Sequence, residues 1–221
     1  MFIALQAHNY AKHLHLVQQY YRLRKRVFCD LLQWDCTPTG DEERDYYDTL
    51  GPVYLLWCSS DMAVLYGGMR LMPTTGPTLL YDVFRRTFPN AAELSAPGIW
   101  EGTRMCIHEA NLKRDHPDIE PGRAFGLMLL ALCECAMAHG IHTMISNYEP
   151  HLKRVYQRAG AVVDELGRAD GYGNRPVCCG SFDVSAEIHA RMQAAMEVDI
   201  PLYRRPPLHN AEVMNKHNIA A

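Results

Sequence analysis

The sequence predicts an α/β fold in which helices flank a mixed central sheet. Strand-like apolar segments joined by a short turn occupy the first half, and helices alternate with strands in the second. No internal repeat or low-complexity tract interrupts either half. With 221 residues, 48% of them hydrophobic and 21% charged, the chain can build one globular domain with a sizeable core. That domain is expected over residues 1–200. Pro201, Pro206 and Pro207 mark 201–221 as a non-compact tail.

The first element is a helix from about Tyr10 to Phe28, because Leu14, Val17, Tyr20 or Tyr21, Leu23 and Val27 recur near helical spacing. The polar stretch Thr37 to Asp45, punctuated by Pro38 and Gly40, breaks regular structure. Val53 to Cys58 reads as a buried strand. Ser59-Ser60-Asp61 turns the chain into a hairpin partner over Ala63 to Leu71. After Pro73-Thr74-Thr75-Gly76-Pro77, a short helix is expected near Leu79 to Phe84 and a strand over Ile99 to His108. Pro121-Gly122-Arg123 opens a long apolar helix that ends at about His139, with Gly140 as its stop. A short strand at Thr143 to Ser146, a helix from Glu149 to Ala159 closed by Gly160, and strands at Ala161 to Leu166 and Val177 to Val184 follow. The last helix runs from Ser185 to Met196.

Composition excludes several functions. A formal charge of −3 lacks the basic excess of a nucleic-acid binder. No run of about 18 apolar residues is present, so no membrane span is expected. The first eight residues lack a basic region followed by a long apolar run, which points away from a signal peptide and towards the cytoplasm. The eight cysteines do not form the two closely spaced pairs of a structural zinc site, and they read as free thiols packed like small apolar residues. The eleven histidines are equally dispersed.

Three clusters carry chemistry. Arg24, Phe28 and Trp34 precede Glu43, Asp45 and Asp48, so aromatic faces and carboxylates suited to a cation lie within one stretch. The bland alternative is a solvated acidic loop. Arg70 lies inside an apolar strand, where its guanidinium needs a partner. That partner is either a ligand carboxylate or an upstream aspartate. Trp100-Glu101-Gly102-Thr103-Arg104 lies on a strand that places Glu101 and Thr103 on one face and Arg104 on the other. A bulge or bend, which Gly102 makes possible, is needed to unite Glu101 and Arg104; otherwise the two are an ordinary strand-surface pair.

In order and spacing these clusters resemble the signature of LuxI-type autoinducer synthases. That signature has Arg24, Phe28 four later, Trp34 six further, the acidic pair Asp45 and Asp48, Arg70 through Pro77, Val83-Phe84, and Trp100-Glu101-x-x-Arg104. The match runs over roughly residues 20 to 160. Gly102 departs from it, standing where many relatives carry serine. Thr78 to Phe84 and Gly122 to Phe125 also resemble the subgroup that makes long-chain signals.

The resemblance implies a GNAT-like acyltransferase fold, a three-layer α+β sandwich with a mostly antiparallel sheet. It implies an acyl-homoserine lactone synthase that moves an acyl group from acyl carrier protein, or from acyl-CoA, to the amine of S-adenosylmethionine. Lactone closure then releases methylthioadenosine, and the product is a quorum-sensing signal. S-adenosylmethionine is a substrate, with no tightly bound cofactor and no metal. The catalytic set implied is Glu101 as base with Arg104, Asp45, Asp48, Arg70 and Arg24. Phe28, Trp34, Glu43, Phe84 and Trp100 would enclose S-adenosylmethionine. Gly122 and Arg123 at a helix start would receive the phosphopantetheine phosphate. Phe125, Leu127, Leu130, Met144 and Ser146 would line the acyl tunnel, and Lys153, Arg154 and Arg158 would face the carrier protein. Two other functions fit an α/β domain: an N-acetyltransferase using acetyl-CoA on another amine, and a non-enzymatic scaffold that kept the fold.

Overall fold

The computed structural model describes residues 1–36, 38–173 and 175–205. Its strands are β1 (Phe2–Leu5), β2 (Val53–Cys58), β3 (Leu65–Pro73), β4 (Ile99–Ile107), β5 (Thr143–Tyr148), β6 (Val163–Ala169) and β7 (Val177–Asp183). Its α-helices are α1 (Leu14–Arg24), α2 (Leu79–Asp82), α3 (Glu109–Asp115), α4 (Pro121–Ala138), α5 (Leu152–Arg158) and α6 (Ala186–Met196). Among the described residues the strands form one seven-stranded sheet in the order β1-β2-β3-β4-β5-β7-β6. Every neighbouring pair is antiparallel except β4 and β5.

β2 is apolar at every position because the sheet is covered on both sides. Tyr54, Leu56 and Cys58 pack against Leu16, Val17, Tyr20 and Leu23 of α1. Leu55 and Trp57 point the other way, into the larger core built on α4. The strictly alternating directions follow from the period-two geometry of a strand. Helix α4 has a mean hydropathy of 1.3 over 18 residues, a length and composition that could cross a membrane. Its packing accounts for that composition, because the sheet and α5 and α6 bury it as a core helix.

The one charge in the middle of α4, Glu134, has a specific partner. Its Oε2 accepts the N–H groups of Leu202 (2.8 Å) and Tyr203 (2.7 Å), and its Oε1 lies 3.1 Å from His189 Nε2. Tyr203 is buried and bridges to Phe2 at the sheet edge. The loose tail expected from Pro201 therefore begins no earlier than the end of the described residues at Arg205. Residues 206–221 lie outside them.

One other expectation changes, and two elements were not expected. The first helix is not uniform from Tyr10 to Phe28. A 3-10 turn at Ala7–His13 leads into α1, and Lys25–Leu31 winds as a π-helix, where the amide of Leu32 donates to Val27 O at 2.9 Å. β1 and α3 have four and seven residues, too few for periodicity to show, and exist through β2 pairing and a His108 cap.

Both glycine stops are confirmed. After α4, Gly140 (φ +72) donates to Met137 O and Ile141 donates to Ala136 O. After α5, Gly160 (φ +81) donates to Gln157 O and Ala161 to Tyr156 O. The two sites differ in crowding. A Cβ on Gly140 meets nothing within 4 Å, whereas one on Gly160 would sit 2.9 Å from the backbone oxygen of Arg191. Gly140→Ala should cost about 1 kcal/mol, the left-handed penalty alone. Gly160→Ala should cost at least about 2 kcal/mol, because a backbone contact is added. Urea unfolding midpoints check the order, and equal losses would refute it.

Candidate active site

The spacing of Asp45 and Asp48 has a local cause. Asp45 caps the 3-10 turn Tyr46–Leu50: its Oδ1 accepts the Tyr47 N–H at 3.0 Å, and Asp48 Oδ2 accepts the Asp45 N–H at 2.9 Å. This reciprocal capping box holds both carboxylates on one side of the turn. Arg24, at the end of α1, is fully buried against them. Its Nη1 and Nη2 donate to Asp48 Oδ1 (2.8 Å) and Oδ2 (2.9 Å), and its Nε donates to Glu43 Oε2 (2.6 Å). Arg70 on β3 is equally buried. It pairs with Asp45 through both Nη atoms and with Asp48 Oδ1 at 3.1 Å, while its Nε donates to Thr103 Oγ1 at 3.1 Å. Tyr54 completes the surround by donating to Asp48 Oδ1 at 2.7 Å.

Arg104 reaches the same network through a bulge of the kind the sequence required, though not at Gly102. The β3–β4 register passes from Gly68↔Cys106 to Arg70↔Thr103, so Arg104 and Met105 together oppose Met69. This is a β-bulge, and Arg104 occupies its left-handed position at φ +55. The bend is at Arg104 itself rather than at Gly102. It costs about 1–2 kcal/mol of backbone strain, offset in part by Tyr20, whose hydroxyl donates to Arg104 O at 2.8 Å. The bulge turns the Arg104 side chain to the face of Thr103. There its Nη2 lies 3.3 Å from both Glu43 Oε1 and Asp45 Oδ2.

Three guanidinium groups and three carboxylates thus form one formally neutral cluster, and its members are unequally exposed. Arg24 and Arg70 are sealed, while the Asp45 side chain is 21% exposed and Arg104 12%. Burial pushes the Asp48 carboxyl up, but Arg24 and Arg70 outweigh it and hold the group well below the usual carboxylate range. Asp45 and Arg104 are therefore the groups a ligand can touch. The others hold them in place. Glu43, expected to contact substrate, is buried and committed to Arg24 and Arg104. Phe28 and Trp34 stand beside the opening, 4.9 Å apart, with the Arg104 guanidinium 5.3 and 5.7 Å from their centroids. Trp34 is 41% exposed.

Glu101 lies on the same sheet face as Thr103 and Arg70, about 7 Å along β4 from Thr103. It is fully buried, and its two oxygens accept the N–H groups of Leu79 (2.9 Å) and Leu80 (2.7 Å) at the start of α2. Burial raises its pKa to about 7. The Leu80 and Leu79 N–H groups and the charge of Arg70 oppose that rise. Phe84 packs beside it against Tyr47, Met72 and Leu79. Trp100 does not join these residues. Strand alternation sends it to the opposite face, where it packs on the α4 core and donates to Pro97 O at 3.2 Å.

Parallel pairing of β4 with β5 covers only Ile99–Glu101 and Thr143–Ile145, and the strands part beyond it. Ser146 Oγ spans the start of the gap by donating to Gly102 O at 2.9 Å. Met144, Leu127 and Leu130 are in the core on the α4 side of this opening. The α4 start has no side-chain cap, and since Pro121 has no N–H and Ala124 donates to Glu120 O, the amides of Gly122 and Arg123 are the ones left without a partner among the described residues. Gly122 and Arg123 there line a pocket of about 270 Å³ with Val155, Arg158, Ala159 and Met196. Phe125 packs beside it on Tyr156 at 5.8 Å. On α5, Arg154 and Arg158 are exposed, whereas Lys153 is drawn to Glu165 at 3.7 Å.

Sequence reasoning passed over Tyr20, Tyr47, Tyr54 and Asp82, which all touch this site or its supports. Tyr20 and Tyr54 looked like ordinary core positions of a helix and a strand, and only their hydroxyl partners reveal more.

The model of the autoinducer synthase family matches residues 7–192. An acyl-homoserine-lactone synthase of Rhizobium etli is 34% identical over 173 residues, 76% of either chain. The fold is similar to that of a CoA-dependent acyl-homoserine lactone synthase, BjaI, solved with SAM and isopentyl-CoA. The TM-score is 0.78 at 24% identity, covering 98% of this chain and 99% of that one. It is also similar to the synthase LasI, with a TM-score of 0.73 at 22% identity, covering 93% and 99%. The mostly antiparallel sheet with its parting β4/β5 pair is thus the GNAT-like architecture, and the chain belongs to the autoinducer synthase family.

Proposed function

We propose that this chain is an acyl-homoserine-lactone synthase whose methionine-binding point is the partly exposed pair Asp45 and Arg104. The observation that carries the assignment is that pair, open beside Phe28 and Trp34, on the same sheet face as a buried carboxylate. Asp45 matches an α-ammonium, Arg104 matches a carboxylate, and the aromatic faces suit a sulfonium. S-adenosylmethionine carries all three groups.

The reaction makes two bonds. The unprotonated α-amine attacks the thioester carbonyl and a tetrahedral oxyanion forms. Its collapse breaks the C–S bond, the second amine proton goes to the departing sulfur, which leaves as a thiol, and an amide remains. The methionine carboxylate oxygen then attacks the γ-carbon. The C–S bond breaks, methylthioadenosine leaves, and the lactone closes. The amine, with a pKa of about 8, must give up a proton first. Glu101 is suited to take it: at about 7 its carboxyl is nearly matched to the amine, and each oxygen keeps acceptor capacity beyond its one N–H bond.

The acyl donor enters at the α4 start. Its free N–H groups with Arg123 and Arg158 suit a phosphopantetheine phosphate, and the exposed Arg154 and Arg158 suit an acidic carrier protein. The free state of all eight cysteines supports a reducing, cytoplasmic setting.

The test supplies S-adenosylmethionine with octanoyl thioesters of acyl carrier protein and of coenzyme A, and follows methylthioadenosine by chromatography and lactones by mass spectrometry. Both products should appear in equal amounts. Arg158→Ala should raise the donor KM about fivefold or more with the S-adenosylmethionine KM unchanged. Acylation of another amine from acetyl-CoA, with no methylthioadenosine, would establish the N-acetyltransferase alternative. The absence of any turnover would favour the scaffold.

A further inference from the structure

Tyr47 and Asp82 lie outside the residues that face the ligand, yet they join its two halves. Tyr47 follows Asp45 by two residues in the capping turn and is buried, and its ring lies 5.3 Å from the Arg70 guanidinium. Its hydroxyl donates to Asp82 Oδ2 at 3.0 Å. Asp82 ends the single turn α2, whose leading amides, Leu79 and Leu80, grip both oxygens of Glu101. Thr78 caps that turn through its bond from the Tyr81 N–H at 3.3 Å. Four residues are too few to hold a helix by their own hydrogen bonds, so the orientation of α2 depends on what it is tied to. We propose that Tyr47 and Asp82 are positioning residues for Glu101: their hydrogen bond ties the α2 turn, and with it the Glu101 carboxylate, to the turn that carries Asp45 and Asp48. This rests on Glu101 as proton acceptor.

The groups facing Glu101 are Arg70 from β3, Asp82 and the two amides from α2, Tyr47 from the capping turn, and Cys179 from β7. Asp82 raises the Glu101 pKa and the two amides lower it. Burial and the neighbouring Asp82 carboxylate raise the pKa of Tyr47, which stays a donor throughout the working range. The two isosteric substitutions therefore act in opposite directions. Asp82→Asn keeps an acceptor for Tyr47 and removes the charge, so the acid limb of kcat should move to lower pH by about half a unit. Tyr47→Phe keeps the ring on Arg70 and releases α2. The grip of the amides on Glu101 weakens, and the acid limb should move to higher pH. In addition, kcat should fall about tenfold while the KM for S-adenosylmethionine stays within about twofold.

The full-length protein, S-adenosylmethionine and the octanoyl thioester that supports turnover suffice for the measurement. Opposite shifts with the kcat-against-KM split support the proposal. Wild-type profiles in both variants, or shifts in the same direction, overturn it. If Tyr47→Phe does not fold, Asp82→Ala, which removes the acceptor of the Tyr47 hydroxyl, decides instead: a fall in kcat of about tenfold with the S-adenosylmethionine KM within about twofold supports the tie, and wild-type kcat overturns it. Glu101→Gln, run in parallel, separates the two levels. Wild-type turnover there removes the base and the positioning role together. Lost turnover there, with both other variants unchanged, removes the positioning role only.

Discussion

Replacing Glu101 by glutamine should lower kcat by about a thousandfold while the affinity for S-adenosylmethionine changes by less than about threefold. The side chain is buried away from the open Asp45–Arg104 pair, so its loss should be felt in proton removal and hardly in binding. Rapid-quench turnover and isothermal titration with S-adenosylmethionine measure the two quantities, and equal loss of both would remove Glu101 from the base role. The substitution also carries a pH signature. The folded carboxyl has a pKa of about 7 against an ordinary 4.5, so the folded chain holds this proton more tightly than the unfolded chain. That contribution to stability is complete below about pH 4.5 and is lost as pH rises through about 7, a change on the order of 3 kcal/mol. Turnover needs the ionised form, so wild-type kcat should rise over the same interval in which stability falls. In Glu101→Gln both slopes should flatten. Urea midpoints between pH 5 and pH 8 provide the check.

Arg24→Met should be the most destabilising single change in the site, at about 3–5 kcal/mol. The guanidinium is fully buried and is the shared partner of Glu43 and Asp48, themselves buried, so its removal strands negative charge away from water. Arg104→Met, at the partly buried rim with contacts of 3.3 Å and longer, should cost less, about 1–2 kcal/mol. A loss for Arg104→Met that equals or exceeds the loss for Arg24→Met would contradict the division between sealed scaffold and open contact. Acid should weaken the wild-type cluster as well. Asp48 has a folded pKa below its unfolded value, so its contribution is present above about pH 4 and is lost as pH falls further. The Arg24→Met variant lacks much of that contribution and should show a shallower acid transition.

Much of this site was legible as residue types and spacings. Arg24, Phe28 and Trp34 stand with Glu43, Asp45 and Asp48 in one stretch, and Arg70 in an apolar strand needed a ligand carboxylate or an aspartate; that Asp45 and Asp48 close a capping box is visible only in the fold. Of the two alternatives for Arg70 the structure shows the ion pair: the guanidinium is sealed and pairs with Asp45 and Asp48. Other features could not be read along the chain. Trp100 sits next to Glu101 in sequence yet faces the other core, and the bulge that brings Arg104 to the Glu101 side falls at Arg104 itself.

The sequence by itself determined the α/β class, the helix stops at Gly140 and Gly160 and the apolar α4. These depend on short-range hydrogen bonding and on the periodicity of burial, both local properties of a chain. Tertiary structure alone decided that β4 bulges at Arg104, that α2 grips Glu101, and that residues 201–205 dock on Glu134. Each of those joins segments tens of residues apart, and whether a buried polar group finds its partner is settled only when the sheet has brought them within about 3 Å.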